Sequence, residues 1–144
     1  MILRLLGRTI SLTDEARIPK KGEIWYVRFD PTIGSEIQKT RPAVVVNEKH
    51  MGREGLRIVV PVTEWQTHHE FCRWMFRLSI GDKTGLTKES GADASQVKSL
   101  SVKRFHNRIG MLTDSELKEI LAAIVVCIGY ECPVCRAREN KNTQ

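Results

Sequence analysis

The chain has 144 residues, 41% hydrophobic and 28% charged, with a formal net charge of +6. That length fits one domain burying roughly two thirds of its unfolded surface, and the ordinary apolar content speaks against bulk disorder. No apolar run approaches the roughly 18 residues a membrane span needs. Arg4 and Arg8 interrupt the N-terminus before the apolar core of a secretory signal can form, so a cytoplasmic protein without a membrane partner is expected. The basic excess suits a phosphate-binding surface, where Lys and Arg displace condensed counterions; plain solubility is the alternative reading.

Residues 1–20 carry no clear period and read as an N-terminal extension. Lys20-Lys21-Gly22 opens the regular region, and 23–29, rich in aromatic and branched residues, predicts a strand. Trp25 and Tyr26 alternate along it, so one of the two belongs to the core. Residues 30–35 form a turn-rich loop. Arg41-Pro42 then leads into a short strand at 43–46. After a polar loop at 47–55 comes a strand at 56–62, in which Pro61 marks a bulge or an edge. Further strands are predicted at 73–78 and 96–102, with a turn at 81–85. Thr113-Asp114-Ser115-Glu116 has the form of a capping box. Leu117, Ile120, Leu121, Ile124, Val125 and Ile128 follow at helical spacing, and Gly129 stands where a C-terminal cap belongs. The fold class is therefore mainly β with a C-terminal α-helix, a small barrel or curled sheet with the helix docked on it. The domain proper runs over 21–130, and 131–144 is a polar tail.

Four cysteines are present. Cys72 and Cys127 have apolar neighbours and are expected to be buried, inert thiols. Cys132 and Cys135 form a lone CxxC, which supplies two of the four ligands zinc needs. It could be half of a zinc site shared across a dimer, a redox pair, or an exposed tail with two incidental cysteines.

No GxSxG, HExxH or phosphate-binding GxxxxGK[ST] occurs. The informative stretch is 30–46. Glu36, Lys39 and Arg41 bring a carboxylate and two cations together, and Arg41 could aim its fork at a phosphate or pair with Glu36 or Asp30. Thr63 could donate to a bound phosphate or satisfy a turn. His68 and His69 could do acid–base work, although neighbours on an extended chain point to opposite sides. Trp65, Phe71 and Trp74 could stack on bases or pack in the core. Lys39, Lys49, Arg53 and Arg77 are candidate backbone contacts.

Gly22-Glu23-Ile24-Trp25, then Asp30-Pro31-Thr32-Ile33-Gly34-Ser35-Glu36, then Lys39-Thr40-Arg41-Pro42-Ala43-Val44-Val45 resembles the opening of the MazF/PemK toxins. Val60-Pro61-Val62-Thr63 is similar to their third-strand motif. Gly85-Leu86-Thr87-Lys88-Glu89-Ser90, Gln96-Val97-Lys98-Ser99, Lys103-Arg104 and Ile109-Gly110 are similar to their later signature. The resemblance runs from Gly22 to Gly129; the extension and the CxxC tail depart from it. It implies an SH3-like barrel of the CcdB/PemK type, usually a homodimer, and a metal-independent, cofactor-free endoribonuclease. Such an enzyme cuts single-stranded RNA at short sequences to leave a 2′,3′-cyclic phosphate and a 5′-hydroxyl, and is blocked by a cognate antitoxin.

The family's functional residues match Arg41 and Thr63, with Glu36 in some members. Arg41 would stabilise the charge on phosphorus and could donate a proton, Thr63 would hold a non-bridging oxygen and Glu36, if close enough, would serve as base. Lys39, Gln38, Trp65, His68, Arg77 and Gln96 are the RNA-contact candidates. A gyrase-poisoning toxin of the CcdB type and a nucleic-acid-binding module without chemistry are the alternatives.

Overall fold

The computed structural model describes residues 3–5, 8–10, 18–49 and 51–131. His50 and the Cys132/Cys135 pair lie outside the described residues. Among the described residues the chain order is β1 (Leu3–Leu5), β2 (Arg8–Ile10), β3 (Glu23–Arg28), β4 (Thr40–Val45), β5 (Leu56–Glu64), β6 (Met75–Leu78), β7 (Ser90–Asp93), β8 (Lys98–Ser101), β9 (Phe105–Met111) and a C-terminal α-helix, α1 (Asp114–Ile128). β1 and β2 pair as a small antiparallel hairpin of their own. The other seven strands make one antiparallel sheet in the order β6-β7-β5-β4-β3-β9, with β8 also on β5. The expectation of a mainly β chain closed by one helix holds.

The central strands are apolar on both faces. Ile24, Val44, Val46, Val60 and Val62 join one core cluster with Ile120 of α1. Trp25, Val27, Ala43, Val45 and Val59 form a second cluster on the other side, with Phe105 packed against it. This two-sided burial is why 43–46 reads as a continuous apolar run instead of an alternating one. Trp25 is the core member of its pair and Tyr26 the exposed one. Register shifts in the β3–β9 ladder on either side of Trp25 bend the sheet around the second cluster.

Pro61 sits where β5 changes partners. β5 pairs with β8 up to Val59 and with β7 from Val62, so the residue without an N–H falls in the gap between the two ladders. It marks a partner switch in an interior strand, not an edge.

The helix has the expected cap. The Thr113 side chain accepts from the Glu116 N–H at 3.1 Å, and Glu116 Oε2 accepts from the Thr113 N–H at 3.0 Å. Gly129 ends it in the left-handed region at φ 66°, where a Cβ would be strained. The packing stripe is shorter than its sequence pattern. Leu117, Ile120, Leu121 and Ile124 meet the core, whereas Val125 is 40% and Ile128 68% exposed, because the last turn runs past the buried cluster. Cys127 shares that turn and is exposed, and Cys72 is half-buried, so neither is the fully buried thiol expected from its neighbours. Desolvation still raises the Cys127 thiol pKa, with a smaller push from Asp93, which leaves it a weak nucleophile.

Candidate active site

A cleft of about 240 Å³ opens where β4 begins and β5 ends. Tyr26, Arg41 and Pro42 line it from β3 and β4, and Val62, Thr63 and Glu64 from β5. Gly85, Leu86, Thr87, Lys88 and Ser90 close the far side. The antiparallel register explains the convergence. Tyr26 lies opposite Pro42 and Val27 opposite Arg41, while Glu64 lies opposite Ser90 and Thr63 opposite Gly91. Arg41 thus belongs to β4 itself rather than to the loop before it.

The chain reaches Arg41 through a constrained turn. Lys39 is the one non-glycine residue with positive φ, at 68°, among the described residues. Its N–H donates to Asp30 Oδ2 at 3.0 Å and its carbonyl accepts from the Phe29 N–H at 2.9 Å, which holds that conformation in place. Arg104 Nη1 donates to the carbonyls of Arg28, Phe29 and Asp30. The Gln96 carbonyl oxygen accepts the Ile37 N–H at 2.6 Å, and its amide donates to Asp93 at 3.3 Å. Arg41 Nε in turn donates to the Gln38 carbonyl at 3.4 Å.

The structure brings Arg41 and Thr63 into one cleft. Glu36 does not line it; its carboxylate faces Lys98 Nζ at 3.5 Å. Gln38 and Lys39 lie on the loop rather than in the cleft, and Gln96 tethers that loop from behind. Trp65, His68 and Arg77 form a second group just past the end of β5. Arg77 lies over the Trp65 ring at 5.4 Å and pairs with Glu89, and Trp65 packs edge-on against His69. The His69 Nδ1 accepts the Gln66 N–H at 3.0 Å. Desolvation and the neighbouring His68 lower the His69 pKa against a smaller opposing pull from Asp93. Phe71 and Trp74 are exposed, at 87% and 42%, so neither packs in the core, although Trp74 falls within the strand expected at 73–78.

Three cleft residues escaped the sequence reading as site residues: Tyr26, Glu64 and Lys88. In the sequence Tyr26 reads only as one of two alternating strand residues. Glu64 and Lys88 carried no signal of their own, although Lys88 stood inside the motif from Gly85 to Ser90. Among the described residues, no group of His, Cys, Asp and Glu could hold a metal ion, and no helix is long and apolar enough to cross a membrane.

The fold matches several solved toxins. MazF from Deinococcus radiodurans superposes with a TM-score of 0.67 at 21% identity, over 78% of this chain and 98% of that one. A mycobacterial endoribonuclease in complex with its cognate antitoxin does so at 0.63 and 15%, over 81% and 100%. In sequence, the chain is 33% identical to endoribonuclease MazF9 of Mycobacterium tuberculosis, covering 73% of this chain and 92% of that protein. It is 32% identical to the endoribonuclease toxin MazF of Escherichia coli K12, covering 78% and 96%. Residues 20–128 match the family described as PemK-like, MazF-like toxin of type II toxin-antitoxin system. Matched over three quarters of its length, with this fold and these relatives, the chain belongs to the PemK/MazF family of toxins.

Proposed function

We infer that the cleft cuts single-stranded RNA, making the protein the endoribonuclease toxin of a toxin–antitoxin pair. The observation that carries this reading is the convergence of Arg41 and Thr63, the two residues that match the family's functional positions, in one cleft. The chemistry suits them. Attack by the RNA's own 2′-hydroxyl on the adjacent phosphorus puts extra negative charge on the phosphate oxygens. The Arg41 guanidinium is always charged and offers several donors to those oxygens. The Thr63 hydroxyl adds a neutral donor. Displacement of the 5′-oxygen then leaves a 2′,3′-cyclic phosphate and a 5′-hydroxyl, and this route needs no metal ion. Both named relatives are endoribonucleases, which favours this function over gyrase poisoning or binding without chemistry.

Homodimerisation and capture by an antitoxin segment that blocks the cleft belong to the same proposal. The exposed apolar side chains of the last turn of α1 support it, since single exposed residues are common but a run of them is not. The test is a long single-stranded RNA incubated with the purified, antitoxin-free protein in excess EDTA. Wild type cuts at a few short sites and leaves cyclic-phosphate ends, and Arg41→Ala cuts about 100- to 1,000-fold more slowly. Intact RNA with folded wild type, or normal cutting by Arg41→Ala, defeats the reading.

A further inference from the structure

We propose that Glu64 and Lys88 are the proton-transfer pair of this cleft, with Glu64 taking the proton of the attacking 2′-hydroxyl and Lys88 protonating the departing 5′-oxygen. The proposal rests on the ribonuclease reading above.

Four residues with ionisable side chains line the cleft: Tyr26, Arg41, Glu64 and Lys88. Arg41 cannot serve as base because it does not give up its proton in proteins. Glu64 is the one carboxylate residue that lines the cleft, whereas Glu36 is occupied by Lys98 outside it. Among the described residues, four ion pairs form: Lys21 with Glu48, Arg77 with Glu89, Lys98 with Glu36 and Arg108 with Glu23. Glu64 and Lys88 are in no ion pair among the described residues. An open carboxylate and an open ammonium in a concave site are free to act on a substrate.

Their placement fits the two ends of the reaction. β5 lies between β4 and β7, so a phosphate held by Thr63 has Arg41 on one side and Lys88 on the other. Glu64 follows Thr63 directly and pairs with Ser90, whose hydroxyl donates to the Lys88 carbonyl at 2.8 Å and fixes the loop there. In the step itself, the 2′-oxygen loses its proton to the Glu64 carboxylate and bonds to phosphorus. The phosphorus–5′-oxygen bond breaks, its electron pair stays on the 5′-oxygen, and that oxygen takes a proton from the Lys88 ammonium. Solvent then returns the proton from Glu64 and reprotonates Lys88.

The experiment is single-turnover cleavage against pH for wild type, Glu64→Gln, Lys88→Met and Glu36→Gln. Binding of an RNA with 2′-deoxyribose at the cut site reports that each variant is folded and engages substrate. Glu64→Gln is expected to cut at least about 100-fold more slowly and to lose the acid limb of the profile, with binding retained. Lys88→Met is expected to slow by a similar factor. A substrate with sulfur in place of the 5′-oxygen should restore it, because a thiolate leaves without a proton. Glu36→Gln keeps the acid limb whatever its rate. A wild-type profile in Glu64→Gln, loss of the acid limb in Glu36→Gln, or no sulfur rescue of Lys88→Met overturns the assignment alone. Failure of wild type to cut at all removes the ribonuclease reading with it.

Discussion

Two adjoining surfaces use charge in opposite ways. On the loop between β3 and β4, ionised groups are spent on structure: Glu36 on Lys98, and Asp30 on the Lys39 N–H. In the cleft beside it, Arg41, Glu64 and Lys88 are in no ion pair among the described residues. The loop holds a shape and the cleft is left open for a substrate. An exposed pair on the loop contributes little to stability, while an unpaired cation in a concave wall contributes to binding an anion.

The contrast can be broken first at the cleft's far wall. A Cβ on Gly110 would lie 2.2 Å from the Thr84 carbonyl carbon and 2.5 Å from the Lys83 oxygen, all of it backbone. Gly110→Ala must push back the turn that leads into Gly85 and Lys88. A loss of about 2–3 kcal/mol in denaturant unfolding is expected, together with slower cleavage. Cleavage and stability at wild-type levels would show that the wall yields freely.

The contrast sharpens in salt titrations of binding to the 2′-deoxy-substituted RNA. Lys88→Met should reduce the slope of log affinity against log salt by about 0.7, the value for one single-strand phosphate contact. Lys98→Met should leave the slope nearly unchanged, because its partner is Glu36. Equal effects would erase the distinction between open and spent cations.

A smaller effect is expected at the helix start. Thr113→Ala removes a cap and should lower stability by about 1 kcal/mol. Burial alone would raise the Glu116 pKa, but hydrogen bonds from Ser79 and Thr113 outweigh it and hold the pKa below its ordinary value. A depressed carboxylate pKa stabilises the fold at neutral pH, and that contribution disappears as the pH falls through the folded-state pKa. The melting-temperature gap between wild type and Glu116→Gln should therefore close in acid. A gap that persists there would assign it to packing. The smallest change is Glu36→Gln, which should alter stability by less than about 1 kcal/mol because the Glu36–Lys98 pair is exposed.

Local signals carried most of the architecture. β3, β5 and α1 were legible because branched runs, turn residues and a capping box each act over a few residues. β7 and β9 were not legible. Ser90-Gly91-Ala92-Asp93 has no strand-forming side chain, and it becomes a strand because β5 and β6 offer hydrogen bonds on its two edges. β9 carries Gly110 and polar residues, and it pairs with β3 through two register shifts. The β1–β2 hairpin, with three residues in each strand, is too short to show a period.

The site divides in the same way. The amino-acid sequence by itself determined β3, β4, β5, β6 and β8, the capped helix after them, and Arg41 and Thr63 as the residues to watch through their place in a recognisable ordered pattern. Only the tertiary structure decided that these two share a cleft, that Glu36 is turned toward Lys98, and that Glu64 and Lys88 line the same opening. The reason is physical: a cap or an apolar stripe depends on neighbours three or four residues away. A cleft instead depends on antiparallel registers that bring residues 41, 63 and 88 together, and no local preference encodes that distance.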